Sequence, residues 1–495
     1  MKEEVLRLDR VTALEQGVTE LNHFNLNVFA GEIMGLIPVN GIGLETLLRL
    51  LRQNLPLHYG YVYYREKLVN HWLHADHSYN RIAVIESRSG LADDLTVVDN
   101  VFVLRKGFRK WVVQRGLLNR LLEPFLREID MDISADTRAA DLTHLERFMV
   151  EIVKAVVAGC RLIILNDAGT IVSDVELTKL HSVLRHYAAE GISFLYISRH
   201  YEEVRAICDR AALMIHGQIS KIVSTRDTAP DQIHCFSVES YERLVLSQGR
   251  RPGPDPAAPP ALEVRNLFLG MIQGLNLAVG AGECVVLQDL ENHMFDDLIA
   301  VLTGGVAAER GEIRVGGAPY PAKGSRDVAV VQRLAARTML FPELSYMDNL
   351  CFTMDQRLPR IWVSAQARSG VRREYEPWLG KAVFDQPVET LTLMQKYDLI
   401  YARVLLQRPK VALCVQPFMQ ADVEQRMHIW QLIEKLLEKR IAVVILAVNL
   451  ADTLSLADRL VRIQNGRVLA SYDRREFGSL PDDTPWQYLW NKEDA

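Results

Sequence analysis

Two turns and one histidine cluster are where this chain could do chemistry. The first turn, Asn40-Gly41-Ile42-Gly43, lies between the apolar run Gly31 to Ile37 and the helix start Leu44-Glu45-Thr46-Leu47. Glycines between a strand and a helix let backbone NH groups curl around an anion such as phosphate, at the positive end of the helix dipole. The second turn, Asp289-Leu290-Glu291-Asn292-His293-Met294-Phe295-Asp296-Asp297, holds the same place after the run Gly282 to Leu287. With no glycine and four acidic residues, it is not expected to cradle phosphate. Asp296 and Asp297 read instead as first-turn carboxylates that complement the helix dipole. His71, His74 and His77, spaced three apart beside Asp76, raise the question of a metal.

Composition bounds the rest. The 495 residues, 49% hydrophobic and 24% charged, leave room for two to four domains at roughly 100–200 residues each. Net charge is −5, with Lys+Arg 57 against Asp+Glu 62, which lacks the positive field that nonspecific nucleic-acid binding needs. No nucleic-acid partner is expected. Cys160, Cys208, Cys235, Cys284, Cys351 and Cys414 stand singly and read as small core hydrophobes, so neither a disulfide framework nor a zinc site is indicated. Met1-Lys2-Glu3-Glu4-Val5 is acidic where a secretory signal is basic, which predicts a cytoplasmic protein. The longest clean apolar run, Ile441 to Val448, is eight residues, far short of the about 20 that a membrane-spanning helix needs. No direct membrane insertion is expected.

The chain is written twice. Asp209-Arg210 recurs 249 positions on as Asp458-Arg459, Gly217-Gln218-Ile219 as Gly466-Arg467-Val468, and Asp99-Asn100-Val101 as Asp348-Asn349-Leu350. Gly31-Glu32 recurs 251 positions on as Gly282-Glu283. One offset held in order across the chain means a duplicated domain. Residues 1–245 form the first copy and 262–495 the second. The stretch 246–261, with Arg251-Pro252-Gly253-Pro254-Asp255-Pro256 at its centre, reads as a proline-stiffened linker. Leu162 to Leu165 and Ile192 to Ile197 are nearly continuous in apolar character, as parallel strands covered on both faces require. Leu177, Leu180, Val183, Leu184 and Tyr187 between them fall at helical spacing. The second copy repeats this with Val411 to Val415, then Met427, Trp430, Ile433 and Leu437, then Val443 to Leu446. Each copy is an α/β unit of strand-helix-strand crossovers.

These runs, in order, resemble the ABC-type ATPases, with their phosphate loop G-x-N-G-x-G-K-S/T-T at Pro38 to Thr46. Also in family order are Val150 to Ala155, the strand ending Leu165-Asn166-Asp167, Tyr196-Ile197-Ser198-Arg199-His200, and Cys208-Asp209-Arg210. The chain is similar in particular to the tandem ATP-binding subunit of bacterial sugar importers, over nearly its whole length. That resemblance implies two tandem P-loop NTPase-like domains, each with a mixed or parallel sheet and a helical subdomain. ATP with Mg²⁺ is the implied cofactor. An integral-membrane sugar permease is the implied partner, with this chain peripheral at the inner face of the membrane. The resemblance also places a polar surface loop at the His71–His77 segment, so no metal site is expected there.

The family's chemistry depends on residues that have changed. The phosphate loop keeps Asn40, Gly41, Gly43 and Thr46, but Pro38 replaces the first glycine, Leu44 the lysine and Glu45 the Mg²⁺-binding hydroxyl. Losing the cation and adding an anion both oppose nucleotide binding. Glu15 stands at the adenine-stacking position and Ser87 at the glutamine that links metal, water and permease. Asn166 and Asp167 match the two carboxylates that hold metal and activate water, and remain as weak catalytic candidates. Arg199 matches the switch histidine, with His200 adjacent as a third candidate. Leu145 fills the signature glycine in Leu142-Thr143-His144-Leu145-Glu146, and Leu391 to Lys396 lacks glycine altogether. Val415-Gln416-Pro417 and Ala447-Val448-Asn449 replace the carboxylates and switch of the second copy.

In the family each hydrolytic site pairs one copy's loop with the other's signature, here Gly41 to Thr46 with Leu391 to Lys396, and 289–297 with Leu142 to Glu146. Neither pair is complete, so efficient turnover is not expected. Three readings follow. The chain is a degenerate subunit that docks on or regulates a sugar-type permease or related sensing assembly, a divergent ATPase with weak ATP binding at the first-copy site, or a soluble interaction protein without a transporter. The implied docking surface comprises Ser87 to Phe102 and Gln332 to Phe352.

Overall fold

The structure is a computed structural model, described here for residues 3–15, 17–53, 57–70, 82–86, 89–103, 114–170, 172–225, 258–321, 325–354, 364–448, 450 and 453–480. His71, His74, His77, Ser87, Cys235, Asn449 and most of the expected linker lie outside these residues. The chain divides into two compact units, Met1–Glu239 and Ser240–Ala495.

The first unit begins with β1 (Glu4–Glu15), β2 (Val18–Phe29), β3 (Ile33–Pro38) and α1 (Leu44–Gln53). It continues through β4 (Tyr59–Tyr64), β5 (Lys67–Leu68), β6 (Ile82–Ile85), α2 (Val97–Phe102), α3 (Arg115–Glu128) and α4 (His144–Val157). It ends with β7 (Leu162–Asn166), α5 (Asp174–Ala189), β8 (Ser193–Ile197), α6 (Tyr201–Ile207), β9 (Arg210–Ile215) and β10 (Gln218–Ser224). A six-stranded sheet runs β10-β9-β3-β8-β7-β6, parallel except for the β9–β10 hairpin. Leu162 to Leu165 are fully buried, which is why they read as an unbroken apolar run. The stripe Leu177, Leu180, Val183, Leu184 and Tyr187 buries one face of α5; a fully buried Leu contributes about 1.5–3 kcal/mol.

A separate four-stranded antiparallel sheet, β2-β1-β4-β5, was not anticipated from the sequence. Its signal is the alternation in β1, where Leu6 and Leu8 are buried and Arg7 between them is exposed. Alternation of that kind marks a strand with one wet face, unlike the strands of the larger sheet.

The second unit repeats the plan. It holds β11 (Leu262–Leu269), β12 (Ile272–Val279), β13 (Cys284–Asp289), α7 (Phe295–Thr303), β14 (Arg310–Val315), β15 (Ala318–Pro319) and β16 (Val328–Val331). Next come α8 (Ala335–Thr338), α9 (Tyr346–Cys351), α10 (Ala365–Leu379), α11 (Leu393–Gln407), β17 (Val411–Val415) and α12 (Val423–Glu438). It closes with β18 (Ala442–Ala447), β19 (Arg459–Gln464) and β20 (Arg467–Asp473). The sheets run β12-β11-β14-β15 and β16-β17-β18-β13-β19-β20, the latter matching β6-β7-β8-β3-β9-β10 strand for strand. On α12, Trp430, Ile433 and Leu437 of the expected apolar face are buried and Met427 is half-buried, while Arg426 is also buried, its Nε donating to the Ala421 carbonyl at 2.9 Å.

The duplication extends to individual hydrogen bonds. Asn100 accepts from the Ala92 NH at 2.8 Å and donates to the carbonyls of Ala92, Leu95 and Thr96. Asn349 accepts from the Phe341 NH at 2.9 Å and donates to Phe341, Leu344 and Ser345. Every partner is displaced by 249 positions. Asp209 on the Ile33 NH recurs as Asp458 on the Cys284 NH, and the pair Arg210–Glu32 as Arg459–Glu283, with the Asp and Arg displaced by 249 positions and their partners by 251. Capping boxes at Thr143/Glu146 and Thr392/Gln395 start α4 and α11 alike.

Candidate functional site

Parallel strands present their carboxyl ends together, and here β3, β8 and β7 do so, with Leu36 beside Ile197 and Ile197 beside Asn166. The Ser198 NH donates to the Leu36 carbonyl at 3.2 Å and the Asp167 NH to the Ile197 carbonyl at 2.9 Å. The loop after β3, the pair Asn166-Asp167 and the segment 198–200 therefore open at one edge of the sheet, where α/β folds place ligands.

In the loop, the Gly43 NH, the Asn40 side chain and the Thr46 hydroxyl already have partners within the chain. Gly43, with φ +81°, directs its NH to the Glu20 carboxylate at 2.9 Å, and a Cβ there would lie 2.3 Å from the Glu20 carbonyl oxygen. Only glycine fits. Asn40 holds the β9–β10 turn, with Nδ2 3.0 Å from His216 Nδ1 and Oδ1 accepting the His216 NH at 3.1 Å. The Thr46 hydroxyl donates to Glu15 at 3.2 Å, and Arg49 grips the same carboxylate at 3.0 and 2.9 Å. Those Arg49 bonds, and then Thr46, hold the Glu15 carboxyl below its ordinary range. Leu44 is buried in the core with Leu47 and Leu48, whereas Glu45 is exposed.

Behind the loop, Asp167 adopts φ +53° and forms an ion pair with Arg199, the two side chains being 4% and 9% exposed. The residue that meets the candidate base is thus the arginine at the switch position. Asn166 Oδ1 is buried without a hydrogen-bond partner. His200 is 7% exposed and precedes α6, its NH donating to Ser198 Oγ at 3.1 Å. Ser198 and Tyr196 donate to the buried Glu203 at 2.8 and 3.2 Å, and His181 Nε2 lies 3.3 Å from the Tyr196 hydroxyl. Burial lowers the His181 pKa to about 4, so this imidazole is neutral at pH 7. Gly169 lies against this network: a Cβ there would lie 2.1 Å from Glu203 Oε1 and would push the carboxylate from its partners.

The signature segment forms the first turn of α4, and Leu145, at the glycine position, is 9% exposed. Beside it opens a cleft of about 310 Å³, lined by Glu86, Ser89, Leu142, His144, Arg147 and Glu151 among others. Glu151 accepts from the Ser89 hydroxyl at 2.7 Å and the Gly90 NH at 3.0 Å. Burial raises its pKa despite those bonds.

The second copy's loop, not expected to cradle phosphate, shows what its amides hold instead. Without a glycine its loop still turns its amides inward, Asn292 supplying the left-handed residue at φ +56°. The NH groups of Glu291, His293 and Met294 converge on the carboxylate of Asp289 at 3.2, 2.7 and 2.9 Å. A cradle exists, and the last residue of β13 fills it. Asp297, expected only to complement the helix dipole, also accepts the Met271 NH at 2.8 Å. Gln416 repeats the left-handed turn of Asp167, with φ +43° and its NH on the Leu446 carbonyl at 2.9 Å.

Sequence reasoning missed Glu20, Arg49, Glu203 and the role of Asp289. Only Arg199 carried a legible signal, a new cation arriving in the same unit as a misplaced carboxylate.

Residues 21–170 match the family model described as ABC transporter. A ribose import ATP-binding protein of Rubrobacter xylanophilus is 25% identical over 482 residues, 95% of this chain and 96% of its own. A xylose import ATP-binding protein of Moorella thermoacetica is 24% identical over 96% of this chain and 97% of its own. A putative ribose/galactose/methyl galactoside import ATP-binding protein of Agrobacterium fabrum is 26% identical over 93% and 94%. The chain is therefore an α/β protein whose two units repeat one sheet plan, the first matching the ABC transporter family model over residues 21–170, and it is similar along nearly its whole length to the ATP-binding subunits of ribose and xylose importers.

Proposed function

We propose that the chain is an ABC subunit of the sugar-importer type that does not hydrolyse ATP efficiently and instead docks on, or regulates, a carbohydrate permease. The observation that carries this reading is that the loop amides already hold the chain's own carboxylates, Glu20 on Gly43 and Asp289 on Glu291, His293 and Met294. A magnesium–polyphosphate group does not fit either loop as folded. It would have to displace an attached anion, with leucine at Leu44 in place of the neutralising lysine. The Asp167–Arg199 pair likewise engages the carboxylate that would orient water.

The docking part of the proposal is supported by the relatives, all import proteins by name, and by an exposed aromatic pair. Phe341 and Phe352, 41% and 50% exposed, stack with centroids 4.5 Å apart in the segment expected to meet a permease. Large exposed apolar groups of this kind mark interaction surfaces. No helix among the described residues is long and apolar enough to cross a membrane, so attachment at the membrane's inner face comes through the partner.

Calorimetric titration of the purified chain with MgATP up to millimolar concentration, beside a Leu44→Lys/Glu45→Ser variant, tests the reading. No binding by the native chain is expected. Binding at cellular nucleotide concentrations would instead favour a divergent ATPase. Copurification of a permease, weakened by Phe341→Ser/Phe352→Ser, separates the docking role from that of a soluble interaction protein.

A further inference from the structure

The first unit carries a second constellation, outside the loop chemistry. Glu128 ends α3, while His186 and Glu190 sit one turn apart near the end of α5. His186 Nε2 lies 2.6 Å from Glu128 Oε1 and 3.9 Å from Glu190 Oε1, and the three ligand atoms all fall within 4.8 Å of one another. Donors on one tetrahedral zinc ion, at about 2.0–2.2 Å from the metal, lie roughly 3.3–3.5 Å apart. The observed spacing straddles that value. The three side chains are 30–52% exposed, so small rotations close the triangle and solvent can deliver an ion.

We propose that Glu128, His186 and Glu190 form a binding site for a divalent transition metal of the zinc class. One imidazole nitrogen and two carboxylate oxygens suit zinc, cobalt or nickel better than calcium or magnesium, which prefer all-oxygen sets. The spacing on α5 is one helical turn, which puts both ligands on one face, and the third ligand comes from a different helix. A bound ion therefore ties α3 to α5, where the His186–Glu128 contact already joins them and Lys179 Nζ on α5 donates to the carbonyl of Asp130, just past α3, at 2.6 Å. Among the described residues the second copy offers no such set. Its α12 carries Lys435 and Lys439 at the corresponding positions, and Lys435 Nζ lies 3.9 Å from the Trp378 ring centre on α10. The same junction is bridged there by a cation over an aromatic ring.

The test uses the full chain with His71, His74 and His77 changed to alanine, which removes the other histidine cluster. It is dialysed against chelator and titrated with ZnCl₂ by calorimetry and with CoCl₂ by visible absorption. One saturable equivalent is expected, accompanied by a rise in melting temperature. His186→Gln, which keeps a polar side chain, weakens binding at least about tenfold and abolishes that rise. Urea midpoints without metal verify that the variant is folded. An absence of saturable binding overturns the assignment, as does one equivalent bound equally well by His186→Gln and Glu190→Gln.

Discussion

Asp167 and Arg199 face each other across the ends of two adjacent parallel strands, each supplying the charge that the other needs to remain buried. Removing one partner of such a pair strands a charge. Arg199→Ala should destabilise the first unit by about 3–5 kcal/mol. Asp167→Asn in the same chain should recover part of the loss, since asparagine tolerates the left-handed backbone there. Urea denaturation of both variants measures this, and an additive double variant would show that the pair is not coupled.

Asp289 serves three amides at once. Asp289→Ala leaves those donors to whatever solvent reaches them, at a cost of about 1–3 kcal/mol. Inorganic phosphate or sulfate should restore part of that stability in the variant and none in the native chain, as read by melting temperature against anion concentration.

The duplicated asparagines give a paired experiment. Asn100→Ala and Asn349→Ala each orphan a buried amide and several carbonyls, costing at least about 1–3 kcal/mol apiece. Because the bonding is the same in both copies, the losses should be similar in size. Hydrogen exchange should place each in its own unit, and strongly unequal losses would show that the copies rely on this anchor differently.

Glu151 makes stability depend on pH. Burial raises its folded pKa above the ordinary value of 4.5, so the folded state holds the proton more tightly than the unfolded one. That contribution is fully present below about pH 4.5 and is lost as pH climbs through the raised value. Glu151→Gln keeps an acceptor for Ser89 and has no proton to lose. It should gain stability relative to the native chain as pH rises from 4 to 8, by urea midpoints at each pH. A constant difference would contradict the assignment.

Where one force dominates, the sequence was sufficient. β7, β8, β17 and β18 are buried on both faces, and unbroken apolar runs announce that. The repeat was legible for a similar reason: Asp209, Arg210, Asn100 and their copies hold backbone groups that nothing else can satisfy. The chemistry of the loops was legible only by subtraction. Leu44 and Glu45 tell that phosphate lost its cation, but Glu20 and Arg49 act on Gly43 and Glu15 from 23 and 34 positions away, and their recruitment follows from tertiary placement. The role of Asp289 was hidden for another reason. A carboxylate in a phosphate loop reads as repulsion until the geometry turns it into the ligand.

That last arrangement has a thermodynamic consequence. An anion carried on the same chain as its receptor is present at a fixed effective concentration, unchanged by starvation, by dilution or by the ratio of ATP to ADP. Any free anion that enters the loop after β13 must therefore compete with a carboxylate whose local concentration never changes.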